Sequence, residues 1–134
     1  MAAGGMNVPA APAMLARFAA DSVLLLHLCF ILFVVLGGLL VVRWHALMPA
    51  HIAAVAWAVF VEATGKICPL TFAENRLRDA AGLAGYGGSF VEHYLLGVIY
   101  PAGLTRPGQY LLAFLVVAVN ATIYLTLLRS LRER

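Results

Sequence analysis

Long apolar stretches separated by short polar turns dominate this chain and predict membrane-spanning helices. From Val23 to Val42, twenty consecutive residues contain a single ionisable side chain, His27. At about 1.5 Å per residue they form a helix of ~30 Å, which matches the hydrocarbon core of a bilayer. Residues 49–64 and 109–128 are also strongly apolar, and each predicts a further span.

The third apolar segment, residues 90–104, is open to two interpretations. As a helix it is about 22 Å long, and Gly97 and Pro101 interrupt it, so it is either a kinked span or a re-entrant half-helix. The distribution of basic residues favours the span, because positive charges collect on the cytoplasmic side. If the segment crosses, only Arg43 and Arg106 lie outside, and the inner side holds Arg17, Lys66, Arg76, Arg78, Arg129, Arg132 and Arg134.

This bias predicts an all-α membrane protein, a four-helix antiparallel transmembrane bundle with both termini in the cytoplasm. Residues 17–134 form a single four-span membrane domain, and the spans lie at about 18–42, 49–64, 90–104 and 109–128. Residues 1–16 are uncharged and are expected to be a disordered leader. A cleaved secretory signal is less favoured, since the apolar run that follows is longer than an h-region of ~7–15 residues.

The composition agrees with a membrane protein. Of the 134 residues, 63% are hydrophobic and 11% are charged, whereas about a quarter of the residues of a soluble domain are charged. The net charge of +3 comes from scattered basic residues without a continuous basic face, so the expected partner is the lipid bilayer and not nucleic acid. Frequent Arg, Ala and Gly, whose codons are GC-rich, favour a bacterial source and hence the bacterial cytoplasmic (inner) membrane.

The loop between the second and third spans, residues 65–89, is predicted to be cytoplasmic and contains two capping boxes. Thr71 and Glu74 fit the S/T-x-x-E pattern and predict a short surface helix that ends before Gly82. Ser89 and Glu92 fit the same pattern and predict the start of the third span.

With this topology, ionisable side chains gather at the cytoplasmic side of the bundle. The first span contributes His27, the second ends near Glu62, and the third begins with Glu92 and His93. Ionisable groups at membrane depth indicate a functional site. The candidate site residues are His27, Glu62, Cys68, Glu74, Arg76, Arg78, Glu92 and His93.

Several of these residues also have a structural interpretation. Glu62 faces the negative end of a helix dipole, and either an ion pair with Lys66 or a ligand-binding or proton-handling role accounts for it. Glu92 is either a helix cap or a functional acid. His27 and His93 are either hydrogen-bonded packing residues or ligands of a metal or haem.

The motifs assign no cofactor. Cys68-Pro69 resembles a dipeptide at which some proteins bind haem through a thiolate, but Pro69 is more simply explained as a stop after the second span. The sequence contains no CxxC or HExxH zinc spacing and no GxGxxG turn. Asn120, the lone amide of the fourth span, is expected to donate a hydrogen bond between helices.

A longer pattern of residues resembles a known family. Its centre is the string CPLT-x-x-EN-x-LR, followed by a tyrosine and then by a Glu-His-Tyr group. The matching residues are Trp57, Glu62, 65–71, 74–78, Gly82, Tyr86, Phe90, 92–94, Tyr100 and Pro101. Over about Leu15 to Arg132, the chain resembles a bacterial family of small membrane proteins, domain of unknown function 2784. The resemblance implies a multi-pass membrane protein and implies no activity, cofactor or catalytic residue.

The preferred functional hypothesis is a small non-enzymatic binding or accessory subunit. It fits a chain without a nucleophile and base motif, and its partner is a small ligand, another membrane protein or a second copy of the chain. The alternative is a membrane enzyme or a metal or haem carrier that uses Glu62, Glu92, His93 and His27. Proton-coupled transport is a third hypothesis, and it requires oligomerisation because four short helices enclose too little space for a pore.

Overall fold

The protein is all-helical in the described part of the chain. A computed structural model describes residues 10–97 and 104–133. A 3₁₀ turn at His45–Leu47 joins the first two α-helices, and a π-helical segment covers Val91–Leu96. The four α-helices are α1, Ala10–Arg43; α2, Met48–Thr64; α3, Pro69–Ala80; and α4, Arg106–Arg132.

Three of these helices are long and apolar enough to cross a membrane: α1, α2 together with the preceding 3₁₀ turn, and α4. Their outward faces carry large exposed apolar side chains, among them Leu25, Leu39, Phe114 and Leu128. A surface of this kind is suited to lipid and not to water. The prediction of a multi-pass membrane protein is therefore supported, with three candidate spans in the described residues.

The helix boundaries follow local signals that the sequence carries. A proline lies in the first turn of α2, and Gly65 ends that helix in the left-handed conformation at φ 66°. The Thr105 hydroxyl caps α4 by accepting a hydrogen bond from Gly108 N at 3.3 Å. At the other end of the chain, α1 begins at Ala10, so residues 10–16 are helical and not the disordered leader that was expected, and residues 1–9 lie outside the described residues.

The direction of α4 differs from the sequence-based expectation. Near the middle of the bundle, Asn120 Nδ2 donates to Val34 O at 3.0 Å, as expected of an interhelical donor. At the start of α4, Arg106 Nη2 donates to Ala63 O at 3.0 Å, at the carboxyl end of α2. Because α2 runs antiparallel to α1, α4 starts at the same end of the bundle as α1 and runs parallel to it. The alternating four-span antiparallel bundle, with both chain ends on one side, is not what the structure shows.

The third predicted span explains this difference. Leu104 N donates to Glu92 Oε1 at 3.2 Å, whereas a straight helix would separate these two residues by about 18 Å along its axis. The two described ends of the 90–104 segment therefore lie at the same level of the bundle, and residues 98–103 lie outside the described residues. A crossing of the membrane at 90–104 is therefore not shown. Arg106 was expected at the same end of the bundle as Arg43, but it lies at the opposite end, beside the carboxyl end of α2.

The predicted short helix between the second and third segments exists, but it is not a loose surface helix. It packs against α1, and its Thr71 and Glu74 are buried. These two residues do not form the predicted capping box, because the helix begins earlier, with Cys68 at the N-cap and Pro69 in the first turn. The S/T-x-x-E pattern is therefore inside the helix here.

Two glycines of α1 allow the three long helices to approach closely. A Cβ at Gly37 would lie 2.6 Å from His51 Cδ2 of α2, and a Cβ at Gly38 would lie 3.0 Å from Ile123 Cγ2 of α4. Small residues at such crossings are the usual means of close helix packing in lipid. His51, which fills the space over Gly37, is fully buried and bonds Tyr124 OH through Nδ1 at 2.8 Å.

We expect Gly37→Ala to destabilise the bundle by about 1–3 kcal/mol, the usual cost of overpacking a tight contact. The added methyl group has to displace the buried His51 ring. Gly87→Ala is the matched control, since nothing lies within 4 Å of a Cβ at that position. Thermal unfolding of the detergent-solubilised protein measures both, and equal stability of the two variants would show that the α1–α2 contact is looser than described.

Candidate functional site

A cavity of about 250 Å³ lies at the end of the bundle where α2 ends and α4 begins. We call it the loop-end cavity. Its wall combines side chains of α1, α2, α4 and the 89–95 segment, and most of them are aliphatic or aromatic. The polar residues of the wall are His27, Glu62, Cys68 and Ser89. The cavity is therefore an apolar space with a few polar groups, which is the usual composition of a small-ligand site.

His27 reaches the cavity from α1. Only 4% of its surface is exposed, and its ring centroid lies 4.2 Å from that of Phe90. Its Nδ1 atom is buried and has no hydrogen-bond partner among the residues that the structure describes. A buried polar atom without a partner costs roughly 1–3 kcal/mol, so this nitrogen is suited to a partner that a ligand supplies.

Glu62 reaches the same cavity from the last turns of α2. Its Oε2 atom is buried and, within residues 10–97 and 104–133, also lacks a hydrogen-bond partner. The expected ion pair with Lys66 is not formed between these described residues, because the Lys66 ammonium lies over the Phe60 ring at 5.4 Å from its centroid. Arg106, the other nearby cation, bonds Ala63 O and stabilises the negative end of the α2 dipole.

Glu74 is the centre of a second cluster of polar side chains, and this cluster stabilises the fold. The residue is fully buried on α3, and its two carboxylate oxygens accept hydrogen bonds from Tyr86 OH at 2.7 Å and from Tyr94 OH at 2.8 Å. Hydrogen bonds to a charged group are worth about 1.5–3 kcal/mol each. We call Glu74, Tyr86 and Tyr94 the tyrosine clasp, since it attaches the loop and the π-helical segment to α3.

The residues beside Glu74 reinforce the clasp. The Asn75 side chain donates to Tyr86 O at 2.8 Å and accepts from Tyr86 N at 3.1 Å, so it pairs with both backbone groups of one loop residue. Arg78 Nε donates to Ala84 O at 2.9 Å. The EN-x-x-R part of the central sequence string therefore fixes the 82–89 loop on α3.

The Tyr86 phenol is held in its neutral, hydrogen-donating form. Burial raises the pKa of Tyr86 above its ordinary value, and the hydrogen bond to the Glu74 carboxylate raises that pKa further. The neutral phenol is the form that donates to Glu74, so its hydrogen bond stabilises the fold fully below about pH 10, the ordinary pKa of tyrosine. This stabilisation is lost as the pH rises through the raised pKa that Tyr86 has in the folded protein. The clasp is therefore intact over the physiological pH range.

Glu92 and His93 have structural partners. Glu92 N donates to Ser89 Oγ at 3.1 Å and Ser89 N donates to Glu92 Oε2 at 3.5 Å, which is the reciprocal geometry of the predicted capping box. The other oxygen of Glu92 holds Leu104 N. The His93 ring stacks on Tyr86 with centroids 4.1 Å apart and an interplanar angle of 10°.

The eight candidate residues thus separate into different locations. The structure brings His27, Glu62 and Cys68 to the cavity, and it places Glu74 and Arg78 in and beside the clasp. The remaining three lie elsewhere: Glu92 in its cap, His93 on the face of Tyr86, and Arg76 exposed on α3. Within residues 10–97 and 104–133, no three His, Cys, Asp or Glu side chains are grouped as ligands of one metal ion.

Sequence reasoning missed the aromatic wall of the cavity. Phe30, Trp57 and Phe90 line it, yet each of them reads as an ordinary lipid-facing or core residue in an apolar segment. It also missed that two tyrosines donate hydrogen bonds to one carboxylate. The one sequence signal for this contact is that Glu74, Tyr86 and Tyr94 all belong to the pattern that resembles the family, and such a pattern does not show that its residues touch.

These features define an α-helical protein with three candidate membrane spans and an apolar cavity beside a hydrogen-bonded loop. The chain belongs to the family described as Protein of Unknown function (DUF2784), which matches residues 17–125. That match includes every residue named in the cavity and the clasp. Comparison with curated proteins gave no match, and comparison with solved structures gave none either.

Tyr86→Phe and Tyr94→Phe are each expected to lower the free energy of unfolding by about 1–3 kcal/mol, because each leaves one oxygen of the buried Glu74 without a donor. Tyr110→Phe is the control, since that side chain is exposed and bonds only the exposed Arg106. Thermal unfolding in detergent measures the three variants. If the clasp variants lose no more stability than the control, Glu74 does not depend on the phenols.

Proposed function

We propose that this chain is a small, non-enzymatic membrane protein that binds a small apolar ligand in the loop-end cavity. One observation carries the proposal: within the described residues, His27 Nδ1 and Glu62 Oε2 are both buried and unpartnered in a cavity whose wall is otherwise mostly apolar. The buried carboxylate of Glu74 has its partners within the chain, and the unpartnered hydroxyl of Thr71 does not line the cavity. A ligand that carries a hydrogen-bonding group on an apolar body satisfies both unpartnered atoms and fills the space.

The size of the cavity limits the ligand. Its volume of about 250 Å³ lies just below the ~300–1,000 Å³ that is typical of sites for drug-sized molecules. A molecule with one or two rings, or a short chain with a polar head, fits such a space. The apolar wall supplies most of the affinity through burial, and the polar atoms fix the orientation.

Binding is favoured over the alternative of catalysis or cofactor carriage. That alternative uses four residues together, but Glu92 is engaged by Ser89 and Leu104, and His93 is stacked on Tyr86. Only His27 and Glu62 line the same cavity. A binding role therefore uses His27 and Glu62, which line the cavity, and leaves the contacts of Glu92 and His93 intact.

The arrangement of the long helices supports three crossings of the bacterial inner membrane. If α1, α2 and α4 all cross, residues 65–97, Leu104 and the start of α1 share one side. That side carries Arg17, Lys66, Arg76, Arg78 and Arg106, and the other side carries Arg43, Arg129 and Arg132 among the described residues. An excess of five basic residues over three favours a cytoplasmic position for the loop end. The lipid-facing sides of the helices are where another membrane protein or a second copy of the chain would bind.

With this orientation, a reporter at the N-terminus is expected in the cytoplasm and one at the C-terminus on the opposite side. Fusing a cytoplasm-active fluorescent protein and a periplasm-active phosphatase to each end in turn measures this. A reporter in the 82–88 loop is expected to behave like the N-terminal one. Both chain ends on the same side would instead support the four-span bundle.

Ligand binding can be measured through Trp57, which lines the cavity. Trp44→Phe removes the other of the two tryptophans, and 4-bromobenzyl alcohol is a neutral probe whose bromine quenches a neighbouring indole. We expect saturable quenching in this background. Ala58→Phe, which fills the cavity, is expected to abolish saturation, and the smaller Ala58→Leu is expected to weaken it.

Ala53→Phe is the matched control, because Ala53 is exposed on the same helix. The substitution adds a side chain of the same size on the outer face of α2, away from the cavity. It is expected to leave the quenching curve unchanged. Quenching that rises without saturation and is the same in the Ala58 and Ala53 variants would show only partition of the probe into detergent, and the proposed function would fail.

A further inference from the structure

We infer that the loop-end cavity selects a cationic ligand, a protonated amine on a small apolar body, with its ammonium group against Glu62. This inference rests on the proposed function and specifies its ligand. Glu62 is the one carboxylate among the lining residues of the cavity in the described chain, and neither lysine nor arginine lines it.

The nearby cations are engaged elsewhere and leave the Glu62 carboxylate for a ligand. Lys66 lies over the Phe60 ring. Arg106 bonds Ala63 O, Gln109 Oε1 at 2.7 Å and Tyr110 OH at 3.1 Å. The buried oxygen of Glu62 therefore has neither a donor nor a counter-charge from the described part of the chain, and an ammonium supplies both in one group.

The position of Glu62 in its helix points to the same ligand charge. Glu62 lies in the last turn of α2, where the aligned peptide dipoles present their negative end. A cation bound there interacts favourably with the carboxylate and with the helix end. An anionic ligand would be repelled by the Glu62 carboxylate and by the carboxyl end of α2. Electrostatic repulsion is large in a cavity of low dielectric constant.

The aromatic residues of the wall also suit a cation. Phe30, Trp57 and Phe90 line the cavity, and the faces of aromatic rings attract a desolvated ammonium, most strongly the face of tryptophan. An ammonium has three donors, so one of them is free for His27 Nδ1 when that nitrogen carries the lone pair of the neutral ring. The same rings pack against the apolar body of the ligand.

Two probes of nearly equal shape test the charge preference: 4-bromobenzylamine, which is protonated at pH 7, and 4-bromobenzyl alcohol, which is neutral. In the Trp44→Phe protein we expect the amine to bind about tenfold more tightly, or more, because its ammonium forms an ion pair with the Glu62 carboxylate and the neutral hydroxyl of the alcohol does not. Tenfold corresponds to about 1.4 kcal/mol. Glu62→Gln is expected to abolish this preference, because the amide keeps a hydrogen-bond acceptor but carries no charge. Glu62→Asp, which keeps the charge, is expected to retain the preference for the amine.

Glu133→Gln is the control for charge at the exposed end of the chain, and it is expected to change neither affinity. If amine and alcohol bind equally in the parent protein, the inference is overturned while the proposed function stands. A preference for the alcohol, or an amine preference that Glu62→Gln leaves intact, overturns it in the same way. If neither probe gives saturable quenching, the proposed function itself fails.

Discussion

The hydrogen bonds of the buried Glu74 carboxylate are the interaction on which the site depends. A carboxylate removed from water costs several kcal/mol, and here two phenols offset that cost with bonds of 2.7 and 2.8 Å. The two tyrosines come from the loop and from the π-helical segment, while α3 is packed on α1. The clasp therefore holds Ser89 and Phe90 in place against His27, and without it the loop-end cavity would lack one wall.

The difference between satisfied and unsatisfied polar groups separates structure from function in this chain. Glu74 and Glu92 use both carboxylate oxygens within the fold. His51, Thr71 and Asn120 also have one buried atom each without a partner among the described residues, but none of the three lines the loop-end cavity. His51 and Asn120 are anchored by another hydrogen bond. The unpartnered atoms of His27 and Glu62 instead belong to side chains that line that cavity. Their location, and not the mere fact of burial, is what supports a ligand.

Local signals in the sequence predict the helices well and their arrangement less well. The apolar lengths, Pro49 and Gly65 give the position of α2, because helix ends depend on neighbouring residues. The direction of α4 depends on Leu104 and Arg106 meeting partners far away in the sequence, and counting basic residues could not reveal those contacts. Similarly, Thr71 and Glu74 fit a capping box as a pattern, but two distant tyrosines determine what Glu74 does. That His27, Glu62 and Cys68 line one cavity is easier to anticipate, because it requires only that α2 run antiparallel to α1 and that Cys68 follow soon after the end of α2.

The excess length of α1 explains why a cavity forms at this level of the bundle. With 34 residues, α1 is about 51 Å long, and a bilayer's hydrocarbon core takes up only ~30 Å of it. The remainder provides a surface beyond the spanning region, and α3 packs against α1. Glu62, two residues before the end of α2, lies about 3 Å along the axis from that boundary. A ligand whose apolar body sits among Val34, Val61 and Val116 therefore has its charged head near the interface, which is the depth at which an amphiphilic amine already resides in a membrane.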